Sequence, residues 1–144
     1  MKQLEELYKE LEKYNIPVYN VNFPAKKAGI ITNGKDTVIA VDYKKISNSK
    51  EEKRIIAEEK AHYETGAFYS FNADKTTIDR MEYRATKHVY HELIPYGELK
   101  TMCEKGLSLP ELSDYFGVPI QDVITAYCLY EMFEVYRTED CKEG

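Results

Sequence analysis

The chain has no tryptophan and only three cysteines, and its basic residues are outnumbered, 20 Lys and Arg against 25 Asp and Glu. The cysteines, Cys103, Cys128 and Cys141, lie far apart with no Cys-x-x-Cys pair. An odd, scattered set reads as reduced thiols in a cytosolic protein and not as a disulfide framework. No run of about 18 apolar residues exists, so no membrane-spanning helix is expected. The opening Met1-Lys2-Gln3-Leu4-Glu5-Glu6 is charged, without the apolar stretch of a signal peptide. A formal net charge of −5 argues against non-specific binding to nucleic acid or to an anionic membrane, which needs a basic surface.

What is present fits one domain, residues 1–144, with a real core; a chain of this size buries roughly 70% of its unfolded surface. The apolar fraction of 43% is ordinary, and 12% aromatics is too rich for a disordered chain. Thirteen tyrosines against five phenylalanines imply many half-buried rings with wet hydroxyls.

Leu4, Leu7, Tyr8, Leu11 and Tyr14 recur at helical spacing, which predicts an amphipathic packing helix over residues 3–14 that Asn15-Ile16-Pro17 stops. Three short runs rich in β-branched and aromatic residues follow, at Val18–Val21, Gly29–Thr32 and Thr37–Val41. Asn33-Gly34 between the last two is a hairpin signal, since a type I′ turn needs positive φ at both central residues. A small antiparallel three-stranded sheet is the expectation. Ser49 and Glu52 fit a capping box that opens a central helix, and Gly66 suits its C-terminal cap. Residues 67–77 read as a loop, and a helix runs from about Thr77 to Ile94, ended by Pro95. A turn at Gly97 and a short helix to Lys105-Gly106 come next. Ser108-Leu109-Pro110-Glu111 is a second capping box, Gly117-Val118-Pro119 a turn, and the last helix is expected over about Ile120–Tyr136, with a polar, fraying tail.

The chemistry concentrates on two helices. At about 100° per residue, Ile55, Glu59, His62, Tyr63 and Gly66 share one side of the central helix, with Ile56 at its flank. Glu58 sits at the edge beside His62, while Lys53, Arg54, Lys60 and Glu64 project elsewhere. A charge on an apolar stripe needs a partner or a metal. On the following helix Glu82 is the only charge on the face made by Ile78, Ala85, Thr86, Val89 and Leu93. His88 and His91 project away from Glu82 and are poor candidates for the same site. Facing helices could bring Glu58, His62 and Glu82 together, with Glu59 beside them. Three protein ligands with an open fourth position form the catalytic zinc pattern, and a glutamate beside it is the usual general base. The plainer alternative also stands: Glu-Glu-x-x-His is common in charged helices, an inward histidine is usually a hydrogen-bonded core residue, and Glu82 could pair with Arg80 or Arg84.

The run Ala57–Tyr69, with Glu82-Tyr83-Arg84-Ala85-Thr86-Lys87 and Leu93-Ile94-Pro95, resembles the ImmA/IrrE family of metallopeptidases, above all versions from phages and integrative elements. That family has a His-Glu-x-x-His helix, then a helix with Glu-x-x-Ala and a terminal Leu-x-Pro. The order of elements matches from about residue 16 to residue 130. The resemblance implies His62 and Glu82 as metal ligands and Glu59 as the catalytic glutamate. It places the family's first histidine ligand at Glu58, where this sequence departs. It also implies a zincin-like pair of central helices under the sheet in residues 1–95, a helical C-terminal segment in 96–140, and, as partner, a helix-turn-helix repressor of a mobile element that the enzyme cleaves.

The departure has a chemical direction. Two carboxylates and one imidazole neutralise a divalent cation, whereas two imidazoles and one carboxylate leave it positive, so bound water is polarised less. The cofactor expected is one divalent metal, Zn²⁺ by pattern, with the extra carboxylate favouring harder ions such as Mn²⁺. A catalytically impaired member that regulates by binding a repressor is the alternative. DNA binding by the C-terminal helix pair is disfavoured: residues 107–136 hold Glu111, Asp114, Asp122, Glu131 and Glu134 and no Lys or Arg. The apolar surface there (Tyr127, Leu129, Tyr130, Met132, Phe133, Tyr136) reads as packing or protein docking.

Overall fold

A computed structural model describes residues 2–143, with side chains described for residues 2–131. Met132, Phe133, Tyr136 and Cys141 therefore lie outside the described side chains, as does the expected polar tail. The fold is α+β. Its elements are α1 (Leu4–Lys13), β1 (Val18–Asn20), β2 (Ala28–Thr32), β3 (Thr37–Val41), α2 (Ser49–Thr65), α3 (Lys75–Leu93), α4 (Tyr96–Glu104), α5 (Leu109–Phe116) and α6 (Ile120–Glu143), with a 3-10 turn at Tyr43–Lys45 between β3 and α2. Among the described residues no helix is long and apolar enough to cross a membrane. Cys103 and Cys128 are free thiols.

The sheet is mixed, not antiparallel. Its order is β1-β3-β2, with β2 antiparallel and β1 parallel to β3. The physical reason lies in β3: Ile39, Ala40 and Val41 are all buried, so this strand gains most from a central place with both edges paired. The hairpin puts β2 on one edge. Residues 21–27 then have to carry the chain over the end of β3, and β1 on the far edge runs parallel. The crossing is tied down by Val21 N–H to the Val41 carbonyl (2.9 Å), Asp42 N–H to the Lys27 carbonyl (2.8 Å) and Phe23 N–H to Asp42 Oδ2 (3.0 Å).

The hairpin forms where Asn33-Gly34 marks it, but the turn is not the two-residue type. Gly34 has φ +88° while Asn33 is not among the residues with positive φ. The loop covers residues 33–36, and the Asn33 side chain accepts from the N–H groups of Lys35 (2.9 Å) and Asp36 (2.6 Å). An asparagine that satisfies the backbone this way stabilises a longer loop.

Helix boundaries follow local chemistry. The Ser108–Glu111 capping box is present with both bonds made. The N-cap of α2 is Asn48, not Ser49: its side chain accepts from Glu51 N–H at 2.9 Å. Asparagine and serine cap almost equally well, and a one-residue shift between them leaves little trace in sequence. α3 starts at Lys75, earlier than expected, because Asp74 caps it through Thr77 N–H (2.7 Å). Gly97 lies inside α4 and not in a turn.

Helix α2 runs through the middle of the molecule. Ile55, Ile56, Ala57 and Ala61 join a single apolar core that extends from Leu7 of α1 to Tyr130 of α6 and includes Ile39 and Val41 of the sheet. The far side of α2 is not solvated as its charges suggest. Lys53 is 3% and Lys60 0% exposed. Each basic side chain of α2 reaches a different neighbour. Lys50 meets Ser113 and Asp114, and Lys53 donates to the Phe116 carbonyl at the C-terminus of α5 (2.7 Å). Arg54 meets Asp122 of α6, and Lys60 meets Glu10 of α1 and Glu92 of α3. The helix that carries the candidate site is thus held on all sides.

Candidate metal centre

His62 stands one turn before the end of α2. Gly66, with φ +66°, ends the helix in the left-handed conformation that glycine adopts without strain, and the chain folds back at once. The fold-back brings the Ala67 carbonyl to 2.8 Å from His62 Nδ1. A carbonyl can only accept, so Nδ1 carries the proton and Nε2 holds the lone pair of the neutral ring. That nitrogen faces Glu82 Oε2 of α3 at 3.5 Å. Such a lone pair opposite a carboxylate oxygen is unfavourable unless a proton or a cation lies between them.

Glu58, one turn earlier on α2, completes the group. One ligand atom each from Glu58, His62 and Glu82 lies within 4.8 Å of the other two. Glu58, His62 and Glu82, with the histidine held through Nδ1 by a backbone carbonyl, could hold a metal ion. Glu59, almost fully buried, lies against the same group. Burial pushes its carboxyl up to about 7, with further upward pressure from Glu58 and Glu82 and a smaller opposing effect from His62. Burial also raises the Glu58 carboxyl, against the pull of Arg54.

These groups form part of the wall of a cleft of about 810 Å³. Its other walls are β2, from Ala28 to Thr32, the loop Ala67–Phe71 after α2, and Lys26. β2 lies at an edge of the sheet. Ile31, Tyr69 and Phe71, which line the cleft, expose 64%, 43% and 108% of their surface and give a charged site an apolar edge. Tyr69 donates to Glu82 Oε1 at 2.7 Å, and that bond, with some burial, raises its hydroxyl to about 12.

The residues singled out from sequence, Glu58, Glu59, His62 and Glu82, therefore sit together. Glu82 is bonded to Tyr69 and faces His62. His88 and His91 are elsewhere: His88 Nε2 is 3.3 Å from Glu64 Oε1, and the His91 ring packs edge-on against Tyr130. Glu64, His88 and Glu92 converge as a second acidic group, but the Lys60 ammonium already bridges both carboxylates there, at 2.5 Å and 3.1 Å. Nothing periodic in the sequence marks Tyr69, which sits in a loop, or the pairing of Arg54 with Asp122, which joins distant segments.

Because a Cβ on Gly66 would meet nothing within 4 Å, Gly66→Ala carries only the strain of the left-handed backbone. It is expected to cost about 1 kcal/mol, read as a lower urea midpoint with unchanged m-value.

Comparison with protein-family models, with curated proteins and with solved structures returned no match.

Proposed function

We propose that the protein is a metal-dependent peptidase that acts on a helix-turn-helix repressor of a mobile element, with Glu58, His62 and Glu82 holding one divalent ion and Glu59 as general base. The observation that supports the reading most is the orientation of His62: Nδ1 is turned to the Ala67 carbonyl, so Nε2 faces Glu82, with Glu58 close by, where a cation can be held. A Zn²⁺ or Mn²⁺ ion held there would supply Lewis-acid polarisation of the scissile carbonyl and of water.

The chain's own residues supply the rest. The edge strand β2 offers unpaired backbone groups on which an extended peptide can add as a further strand, and Ile31 and Phe71 offer apolar contact to its side chains. Glu59, with its carboxyl raised towards neutrality, takes the proton of the attacking water and passes it to the leaving amide nitrogen. Burial keeps that carboxylate from being solvated by bulk water. The partner class comes from the resemblance to ImmA/IrrE enzymes, and the net charge of −5 is opposite in sign to the basic surface of a DNA-binding domain.

The second reading, a catalytically impaired regulator that binds the repressor, rests on the departure at Glu58, where the resembled family has a histidine. Incubation with the repressor encoded beside it separates the two. Cleavage that stops with chelator and returns with Zn²⁺ or Mn²⁺ is the expected result. A stable complex with no cleavage, indifferent to chelator, would establish the binder instead.

A further inference from the structure

Glu58 stands where the resembled family has a neutral donor, and the structure surrounds it in a way that a neutral donor would not need. Arg54 lies one turn before it on α2, and its Nη1 pairs with Glu58 Oε2. The same guanidinium turns its Nε towards Asp122 Oδ1 of α6, at 3.4 Å. Asp122 is buried, and its Oδ1 also accepts from the Tyr90 hydroxyl of α3 at 3.0 Å. The chain Tyr90, Asp122, Arg54, Glu58 thus links α3, α6 and α2 and ends on a candidate ligand. A glutamate has three rotatable bonds and loses side-chain entropy when fixed, whereas a histidine at the same position has two. A carboxylate has about four lone-pair sites, so an arginine and a cation can share it.

We infer that Arg54 is a positioning residue for the metal site: anchored from behind by Asp122, it holds the Glu58 carboxylate towards His62 and Glu82, and so makes a glutamate workable at this position. The inference rests on the metal reading above. It assigns a role in that site to the C-terminal helix α6, through Asp122, which none of the ligands themselves requires. Arginine suits the task because its planar fork can satisfy two carboxylates at once, which a lysine ammonium does with less geometric control.

The experiment is a double-mutant cycle on metal affinity, measured by competition with a chromophoric chelator, together with the visible spectrum of the Co²⁺-loaded protein. Arg54→Gln is expected to weaken binding about 10–100-fold, the usual effect of removing a group that orients a ligand. Arg54→Lys recovers part of the loss, and Asp122→Asn weakens binding in the same direction by less. The Co²⁺ spectrum changes shape in Arg54→Gln, which a purely structural role would not cause. In a Glu58→His background, Arg54→Gln is expected to change affinity by less than about threefold, because the residue through which Arg54 acts is gone; any general destabilisation would persist there and is thereby separated. Binding by Arg54→Gln as tight as wild type or tighter overturns the inference and leaves the metal reading standing. So does an equal loss in the Glu58→His background. A wild-type chain that takes up no Zn²⁺, Mn²⁺ or Co²⁺ ends the metal reading and this inference together.

Discussion

Glu59→Gln is expected to reduce peptide cleavage by about 10²–10⁴-fold while leaving metal binding in place, the usual contribution of a positioned general base. The substitution keeps the size and shape of the side chain, so the packing around α2 is preserved. It removes the carboxylate's negative charge and its ability to take a proton. Glu59 is not one of the three converging ligands, and its neutralisation relieves repulsion with Glu58 and Glu82, two of the groups that push its carboxyl up to about 7. A negative charge near the ion is lost as well, so metal affinity is expected to hold or to fall slightly. The measurement is single-turnover cleavage of the repressor by wild type and variant at equal metal loading. A variant that cleaves within tenfold of wild type would remove Glu59 from the mechanism. Loss of metal together with activity would place Glu59 among the ligands.

Lys60→Met is expected to destabilise the fold by about 3–5 kcal/mol, the cost of removing one partner from a buried ionic cluster. The Lys60 ammonium is fully buried and lies 2.7 Å from Glu10, 2.5 Å from Glu64 and 3.1 Å from Glu92, so it joins α1, α2 and α3 at one point. Methionine keeps the length but leaves those carboxylates without their shared cation. Lys2, 2.5 Å from Glu10, and His88, 3.3 Å from Glu64, remain and moderate the loss.

The effect has a defined pH dependence. Burial pushes the Glu64 carboxyl up, but bonds from Lys60 and Tyr14 outweigh it and hold the group below its usual 4.5; Glu10 is held down in the same way by Lys2 and Lys60. Depressed carboxylates stabilise the fold above their unfolded value and lose that contribution as pH falls through the folded one. Lys60 itself is raised from 10.5, so its contribution is complete below that value and is lost at higher pH. The gap between wild type and Lys60→Met should be widest at neutral pH and narrow in acid. Urea unfolding at neutral and acidic pH measures it, with a midpoint difference of roughly 2 M at neutral pH. A gap that stays constant into acid would show that Lys60 acts by packing its stem and not by charge.

What the sequence discloses and what it hides divide along one line. Glu58, His62 and Glu82 are legible because each is set by spacing within a single helix and by the apolar neighbours that share its face. Gly66 and Ser108 are legible because the conformation they serve is local. The parallel pairing of β1 is not, since it depends on which strand is the most apolar and so takes the centre of the sheet. The burial of Lys53 and Lys60 is hidden for a related reason: projecting one helix identifies its apolar side but not what covers the opposite side. There, Glu10, Glu92, Asp122 and the Phe116 carbonyl come from segments distant in sequence, and no periodicity on α2 announces them. Tyr69 escapes because its role arises from a loop that the Gly66 turn folds back over the site.

A site in which Glu58, His62 and Glu82 hold a divalent metal keeps its ion through purification and loses it when a ligand is removed. Elemental analysis of protein purified without chelator, and again after dialysis against Zn²⁺ or Mn²⁺, tests it most directly when Glu82→Ala and His62→Ala are treated in parallel. A single divalent ion per wild-type chain is expected, and its loss from both variants, with all three proteins folded by circular dichroism. No bound metal in wild type under any divalent supplement, or equal metal in all three, would contradict it.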